Sequence, residues 1–187
     1  MRLQISYLLT LSLVFSAYCW NNEEKTVLIT GGAGFIGHHV IEGLLTTTSW
    51  NLICLDRLDF SGNLNRIADM LTEKDMTTRR RLKFVYVDLR SPVSEGSAGD
   101  IGKVDYILHL AAGSHVDRSI EYPMEFVMDN VVGTVNILEF ARKYQPDLDR
   151  FVYFSTDEVF GKSRLVSFVT SMINVIARSG SQGSVLC

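Results

Sequence analysis

Val27-Leu28-Ile29-Thr30-Gly31-Gly32-Ala33-Gly34-Phe35-Ile36-Gly37 decides the fold of this chain. A short apolar run reads as a strand, the glycines read as a tight turn, and Ile36, Val40, Ile41, Leu44 and Leu45 then recur at helical spacing. The glycines follow the pattern Gly31-x-x-Gly34-x-x-Gly37. The first permits the turn, the second lets a backbone approach a pyrophosphate, and the third lets helix and strand pack closely. A glycine triplet alone is weak evidence. Wedged between a strand and a helix it marks a dinucleotide-binding turn, with the free N–H groups and dipole of the helix N-terminus favouring phosphate charge. Gly31, Gly34, Phe35, Ile36 and Gly37 are therefore expected to line a cofactor.

Outward from this turn, short apolar runs alternate with longer helix-prone stretches. Leu52–Leu55, Phe84–Val87, Tyr106–Leu110 and Phe151–Phe154 read as further strands, and one helix is expected from about Pro123 to Tyr144. Continuous apolar strands separated by helices indicate a parallel sheet covered on both faces. The expected fold is α/β, a doubly wound Rossmann sheet of about five strands spanning residues 25–161. Asp56 ends the second strand, about twenty residues beyond the glycines, where a carboxylate accepts the ribose hydroxyls and repels a 2′-phosphate. NAD is thereby favoured over NADP, although the adjacent Arg57 is the residue type that accommodates such a phosphate. Asp88 and Leu89 after the third strand suit an adenine edge, and Ala111 and Ala112 after the fourth suit close passage of the cofactor.

Composition is that of an ordinary globular chain: 187 residues, 47% hydrophobic and 21% charged. A formal charge of −3 provides no basic field for nucleic acid, and Arg79-Arg80-Arg81 reads as a solvated turn. Cys19, Cys54 and Cys187 are far apart and show neither disulfide nor metal spacing, so no metal site is expected and Cys54 reads as core. The N-terminal run Leu8–Phe15, closed by Ala17-Tyr18-Cys19, has the pattern of a signal peptide over residues 1–19. Cleavage would direct the chain to the secretory pathway. An extension from a misplaced start codon on a cytoplasmic protein and a retained anchor are the alternatives.

Five motifs carry a family resemblance over roughly residues 25–161. They are Thr30–Gly37, Asp56 with Gly62-Asn63-Leu64, His109–Ala112 with Ser114–Ser119, Asn130–Thr134, and Ser155-Thr156-Asp157-Glu158-Val159-Phe160-Gly161. The chain resembles the NAD-dependent epimerase/dehydratase family of extended short-chain dehydrogenases, in particular its dTDP-glucose 4,6-dehydratase branch. The acidic pair of the last motif is the specific part, because related epimerases typically lack it. The resemblance implies NAD as cofactor and a nucleotide-linked hexose resembling dTDP-glucose as substrate. It also implies a homodimer in the full-length family, Glu158 as base at C5, Asp157 as acid at the C6 hydroxyl, and Thr156 as hydrogen-bond donor to the C4 oxygen. Ser114, His115, Asp117 and Asn130 would lie near the substrate, Asn130 in the helix behind the site. His109 is expected to be packed and hydrogen-bonded, and His38-His39 to lie on a helix surface.

Two departures qualify the resemblance. Gly113 stands where the dehydratases often have glutamate, and no tyrosine follows Tyr153, so the Y-x-x-x-K pair that deprotonates the C4 hydroxyl is absent. Residues 162–187 form a divergent tail whose apolar positions Leu165, Phe168, Val169, Met172, Val175 and Ile176 fall at helical spacing. The expectation is the NAD-binding portion of a dehydratase, inactive by itself. A non-catalytic NAD-binding or regulatory fragment and a sugar epimerase or decarboxylase of the same family are the competing expectations.

Overall fold

The computed structural model describes residues 24–156 and the strand Ile173–Ile176. The strands are β1 (Thr26–Thr30), β2 (Asn51–Asp56), β3 (Leu82–Tyr86), β4 (Tyr106–His109), β5 (Arg150–Phe154) and β6 (Ile173–Ile176). They form one sheet in the order β3-β2-β1-β4-β5-β6. The first five are parallel, and β6 runs antiparallel to β5 with Tyr153 opposite Asn174. The helices are α1 (Gly37–Thr47), α2 (Leu64–Thr72), α3 (Met76–Arg80), α4 (Glu95–Ile101), α5 (Val116–Glu121), α6 (Pro123–Phe126), a π-helix (Val127–Val132) and α7 (Gly133–Tyr144).

The central strands are buried almost end to end, as strands covered on both faces must be. One face packs Leu28, Ile53, Leu55 and Ile107 against Ile137 and Phe140 of α7. The other packs Val27, Ile29, Leu52 and Cys54 against Val40, Ile41, Leu44 and Leu45 of α1. Local caps place the helix starts. Asn63 accepts from Asn65 N at α2, Asp75 from Thr77 N and Thr78 N at α3, and Ser94 from Ser97 N at α4. The strand order reverses between β1 and β4, which opens a crevice at their C-terminal ends.

Three expectations change. The single helix from Pro123 to Tyr144 is an α-π-α run, and its Val127, Val131 and Val135 are 42%, 57% and 52% exposed while Ile137 and Phe140 are buried. The periodicity of that stretch therefore served two surfaces rather than one core face. The arginine run is not a solvated turn. Arg79 and Arg80 belong to α3, and Arg81 donates to the carbonyls of Thr48, Trp50 and Leu45, tying the end of α1 to the start of β2. In the tail, Ile173–Ile176 is an edge strand rather than helix, consistent with its β-branched residues. The helices α4 and α5 lie in stretches for which the sequence carried no expectation. Residues 1–19, Asp157, Glu158 and most of the tail lie outside the described residues.

Candidate functional site: a dinucleotide cradle at the β1/β4 crevice

The glycine turn is built by contacts that leave no room for side chains. Gly31 has φ +67°, and a Cβ there would come within 2.8 Å of Ala111 Cα, so the turn needs glycine for conformation and for space. A Cβ at Gly37 would collide with the carbonyl oxygen of Gly31, which is how α1 comes to start directly on the turn. Gly34 differs, because a Cβ on it meets only the Gly31 oxygen, at 3.1 Å, and otherwise faces open space. Ile36 is the N-cap of α1 and brings no side-chain cap, so the first-turn N–H groups have no side-chain acceptor. Glycine without a side chain below and a helix start without a side-chain cap above make a cradle that fits a diphosphate, although His38 N also donates to Gly34 O at 3.4 Å. Phe35 and Ile36, 67% and 62% exposed, flank it.

Gly32 was not among the glycines assigned a role from sequence. A Cβ there would lie 2.6 Å from the Cys54 Sγ. Cys54 is fully buried under the turn, and burial pushes its thiol up to about 12, so it is an inert packing residue.

Asp56 stands where the spacing placed it, at the end of β2 and 8% exposed. One carboxylate oxygen accepts from Ala33 N at 3.0 Å and the other from Leu58 N at 2.8 Å. Asp56 thus braces the glycine turn against the β2–α2 loop, and each oxygen keeps acceptor capacity for a hydroxyl. Gly62 makes room for it, since a Cβ there would approach the Asp56 Oδ1 to 2.7 Å. Asn63 N and the Arg66 guanidinium both donate to Ala33 O, which closes the loop onto the turn. Asp88 is half-buried at the end of β3 and pairs with Arg90, and that guanidinium holds its carboxyl below the usual range. Leu89 is buried beneath α7, its carbonyl accepting from Asn136.

Beyond β4, a buried proton-ordered chain crosses the floor of the crevice. Thr134 has one hydroxyl hydrogen and donates it to Asn130 O at 2.6 Å, so the contact of 3.0 Å with His109 Nε2 must be donated by the histidine. His109 Nδ1 is then an acceptor and receives the Thr30 hydroxyl at 2.7 Å, while Thr30 Oγ1 accepts Ala111 N at 3.2 Å. His109 is therefore the neutral Nε2–H tautomer. It is 1% exposed, and burial lowers its pKa to about 4. As expected, it packs and hydrogen-bonds rather than acting as a base, and it stacks on Tyr153 at 5.5 Å.

Asn130 holds the loop after β4. Its side chain accepts from Gly113 N at 2.7 Å and donates to Gly113 O at 3.0 Å. Both the oxygen and the nitrogen of its amide engage this clamp. A Cβ on Gly113 would meet the Phe126 ring at 3.0 Å, so the family's glutamate would require Phe126 to move. Ala111 and Ala112 line the start of the loop, and Ser114, His115 and Asp117 are exposed along its rim. His115 caps α5 by accepting from Arg118 N at 3.4 Å, and Arg118 stacks over Phe60 at 4.4 Å. Thr156 is exposed just past β5, beyond the same edge of the sheet, while Asp157 and Glu158 lie outside the described residues. No cluster of metal-ligating residues occurs among the described residues.

A parallel sheet of this order, with a glycine cradle at its reversal point and an acid at the end of β2, defines a Rossmann-type dinucleotide-binding protein. Residues 28–172 match the family model described as GDP-mannose 4,6 dehydratase, and the chain belongs to that family, among the sugar-nucleotide epimerases and dehydratases. It is similar to a dTDP-glucose 4,6-dehydratase of Escherichia coli, 42% identical over 72% of this chain and 38% of the relative's length. The dTDP-D-glucose 4,6-dehydratase of Dictyostelium discoideum is 35% identical over 89% of this chain and 37% of its own length. The chain thus spans under two fifths of these relatives. Among solved structures, the dTDP-glucose 4,6-dehydratase DesIV of Streptomyces venezuelae, with NAD and TYD bound, has TM-score 0.64 and 36% identity, covering 80% of this chain and 45% of that one.

Proposed function

We propose that this chain is the NAD-binding portion of a nucleotide-sugar 4,6-dehydratase acting on a hexose of the dTDP-glucose type. The observation that carries this is the cradle itself: Gly34 open to space beneath an uncapped helix start, with Asp56 braced beside it. Gly31, Gly34, Gly37 and Asp56 would hold NAD, which would supply the hydride acceptor and donor for exchange between C4 and C6 of the hexose. The chain's own residues hold and move protons around that exchange. Thr156 donates a hydrogen bond to the C4 oxygen, Glu158 takes the C5 proton, and Asp157 protonates the departing C6 hydroxyl. Adjacent carboxylates suit the task in general, since mutual repulsion in such a pair separates the two ionisations and leaves one group an acid while the other is a base. The relatives named above support this assignment, and the acidic pair Asp157-Glu158 favours dehydration over epimerisation.

The 187 residues hold no tyrosine after Tyr153 and hence no Y-x-x-x-K pair. Without the base for the C4 hydroxyl, turnover falls by about 10²- to 10⁴-fold. The 187 residues taken alone match under two fifths of the relatives' length, and contacts remote from the reacting atoms contribute to transition-state binding. The chain alone should therefore show no dehydration of dTDP-glucose. Fused to the remaining half of a family member it should form the 4-keto-6-deoxy product, and Glu158→Gln should abolish that activity. A fusion that tolerates Glu158→Gln would replace the dehydratase with an epimerase. A homodimer is also proposed, supported by the exposed stripe Met124, Met128, Val131 and Val135 along one side of the α6–α7 run.

A further inference from the structure

Arg57 follows Asp56 directly and is the residue type that accommodates a 2′-phosphate, yet its guanidinium is already occupied. Nε and Nη2 donate to Asp59 Oδ2 at 3.0 and 2.6 Å, and Nη1 and Nη2 donate to the two oxygens of Asp129 at 2.5 and 2.8 Å. Four of its five N–H donors are thereby used, and Nη1 also lies 3.7 Å from Asp88. The Asp129 pair is the two-pronged geometry that makes arginine–carboxylate contacts strong and directional. Both partners are half-buried, with side-chain exposures of 22% for Arg57 and 15% for Asp129, so solvent screens the pair less than it would a surface pair. Asp129 arrives from the π-helix, 72 residues away in sequence, and its Oδ2 sits beside Gly113.

We propose that Asp129, together with Asp59, determines dinucleotide specificity by holding Arg57 away from the 2′ position and so excluding a phosphorylated ribose. The proposal rests on the dinucleotide site described above. Its physical basis is a local charge balance. Asp59, Asp88 and Asp129 face Arg57 and Arg90, so three carboxylates meet two guanidiniums. A 2′-phosphate would add roughly −1.5 to −2 charges to that field at neutral pH, and its natural partner could leave the acids only by stranding two half-buried carboxylates. Asp56 alone would repel the phosphate, but Arg57 next to it would attract it. The lock on Arg57 removes that attraction. The hydrogen bonds also leave their mark on the groups themselves. Burial opposes ionisation of Asp59, but donors from Ser61 and Arg57 outweigh it and hold the carboxyl at about 2.

Calorimetric titration of the full chain with NAD and with NADP, at one ionic strength, tests the proposal. Native protein should bind NAD and discriminate against NADP. Asp129→Asn, and more strongly Asp59→Asn with Asp129→Asn, should raise the ratio of NADP to NAD affinity by about tenfold or more, by freeing charge-assisted donors for the phosphate. Adding Arg57→Gln should return the ratio to its native value. A second readout needs no variant: 5′-AMP should compete with NAD on native protein, and adenosine 2′,5′-bisphosphate should not. An unchanged ratio in the asparagine variants, or competition by the bisphosphate equal to that of 5′-AMP, would overturn the proposal. Absence of NAD binding to native protein would instead remove the dinucleotide site on which it rests.

Discussion

His109 shows how one residue can serve a site without touching a ligand. Its ring joins Thr30, which leads into the glycine turn, to Thr134, which leads to the loop clamp Asn130, and only the neutral Nε2–H form satisfies every donor in the chain. The fold therefore disfavours protonation. With a pKa lowered from 6.5 to about 4, the folded state binds fewer protons than the unfolded chain between those values. Stability from this residue is complete above about pH 6.5 and is lost as pH falls toward 4, by up to roughly 3 kcal/mol. Urea unfolding at pH 7 and pH 5 should show that loss in the native chain, and His109→Gln should flatten the difference. An unaltered slope in the variant would remove His109 as its source. The histidine's packing role was legible from its place inside an apolar strand, whereas its partners were not, because Thr30 and Thr134 are distant in sequence and meet only through sheet register and helix packing.

Among the elements, the α-π-α run carries the most that periodicity missed. A wider turn between two α-helices frequently marks a functional site. Here it carries Asp129, which pairs with Arg57, and Asn130, which clamps Gly113. Asn130→Ala would leave the Gly113 N–H and C=O without that partner, costing about 1–3 kcal/mol. Hydrogen exchange at the Gly113 amide should accelerate in the variant. Exchange no faster than native would mean the clamp does not hold the loop. The place of the glycine turn between β1 and α1, by contrast, was readable, but the packing demand at Gly32 was not. That demand comes from the Cys54 thiol on the neighbouring strand, a contact that no local pattern records. Arg81 misled for the same reason, since a basic run looks solvated until the carbonyls at the end of α1 are placed beside it.

At the scale of the molecule, five parallel strands form a dinucleotide shelf, with β6 antiparallel along the β5 edge. The alternation of apolar runs and helices made the parallel sheet legible, and the antiparallel strand was not, because its four residues fall within a stretch whose apolar spacing is also helical. The exposed stripe on the α6–α7 run belongs to this scale too. If two copies pair through it, light scattering should report a dimer that Val131→Glu converts to a monomer, and a native monomer would dismiss the pairing. The central claim is that this shelf binds NAD. Titration of the purified 187-residue chain with NAD tests it most directly. Saturable binding at one site per chain, abolished when Gly34→Val fills the open space of the cradle, is the predicted result. No saturable binding by the native chain, or binding that survives Gly34→Val unchanged, would contradict it.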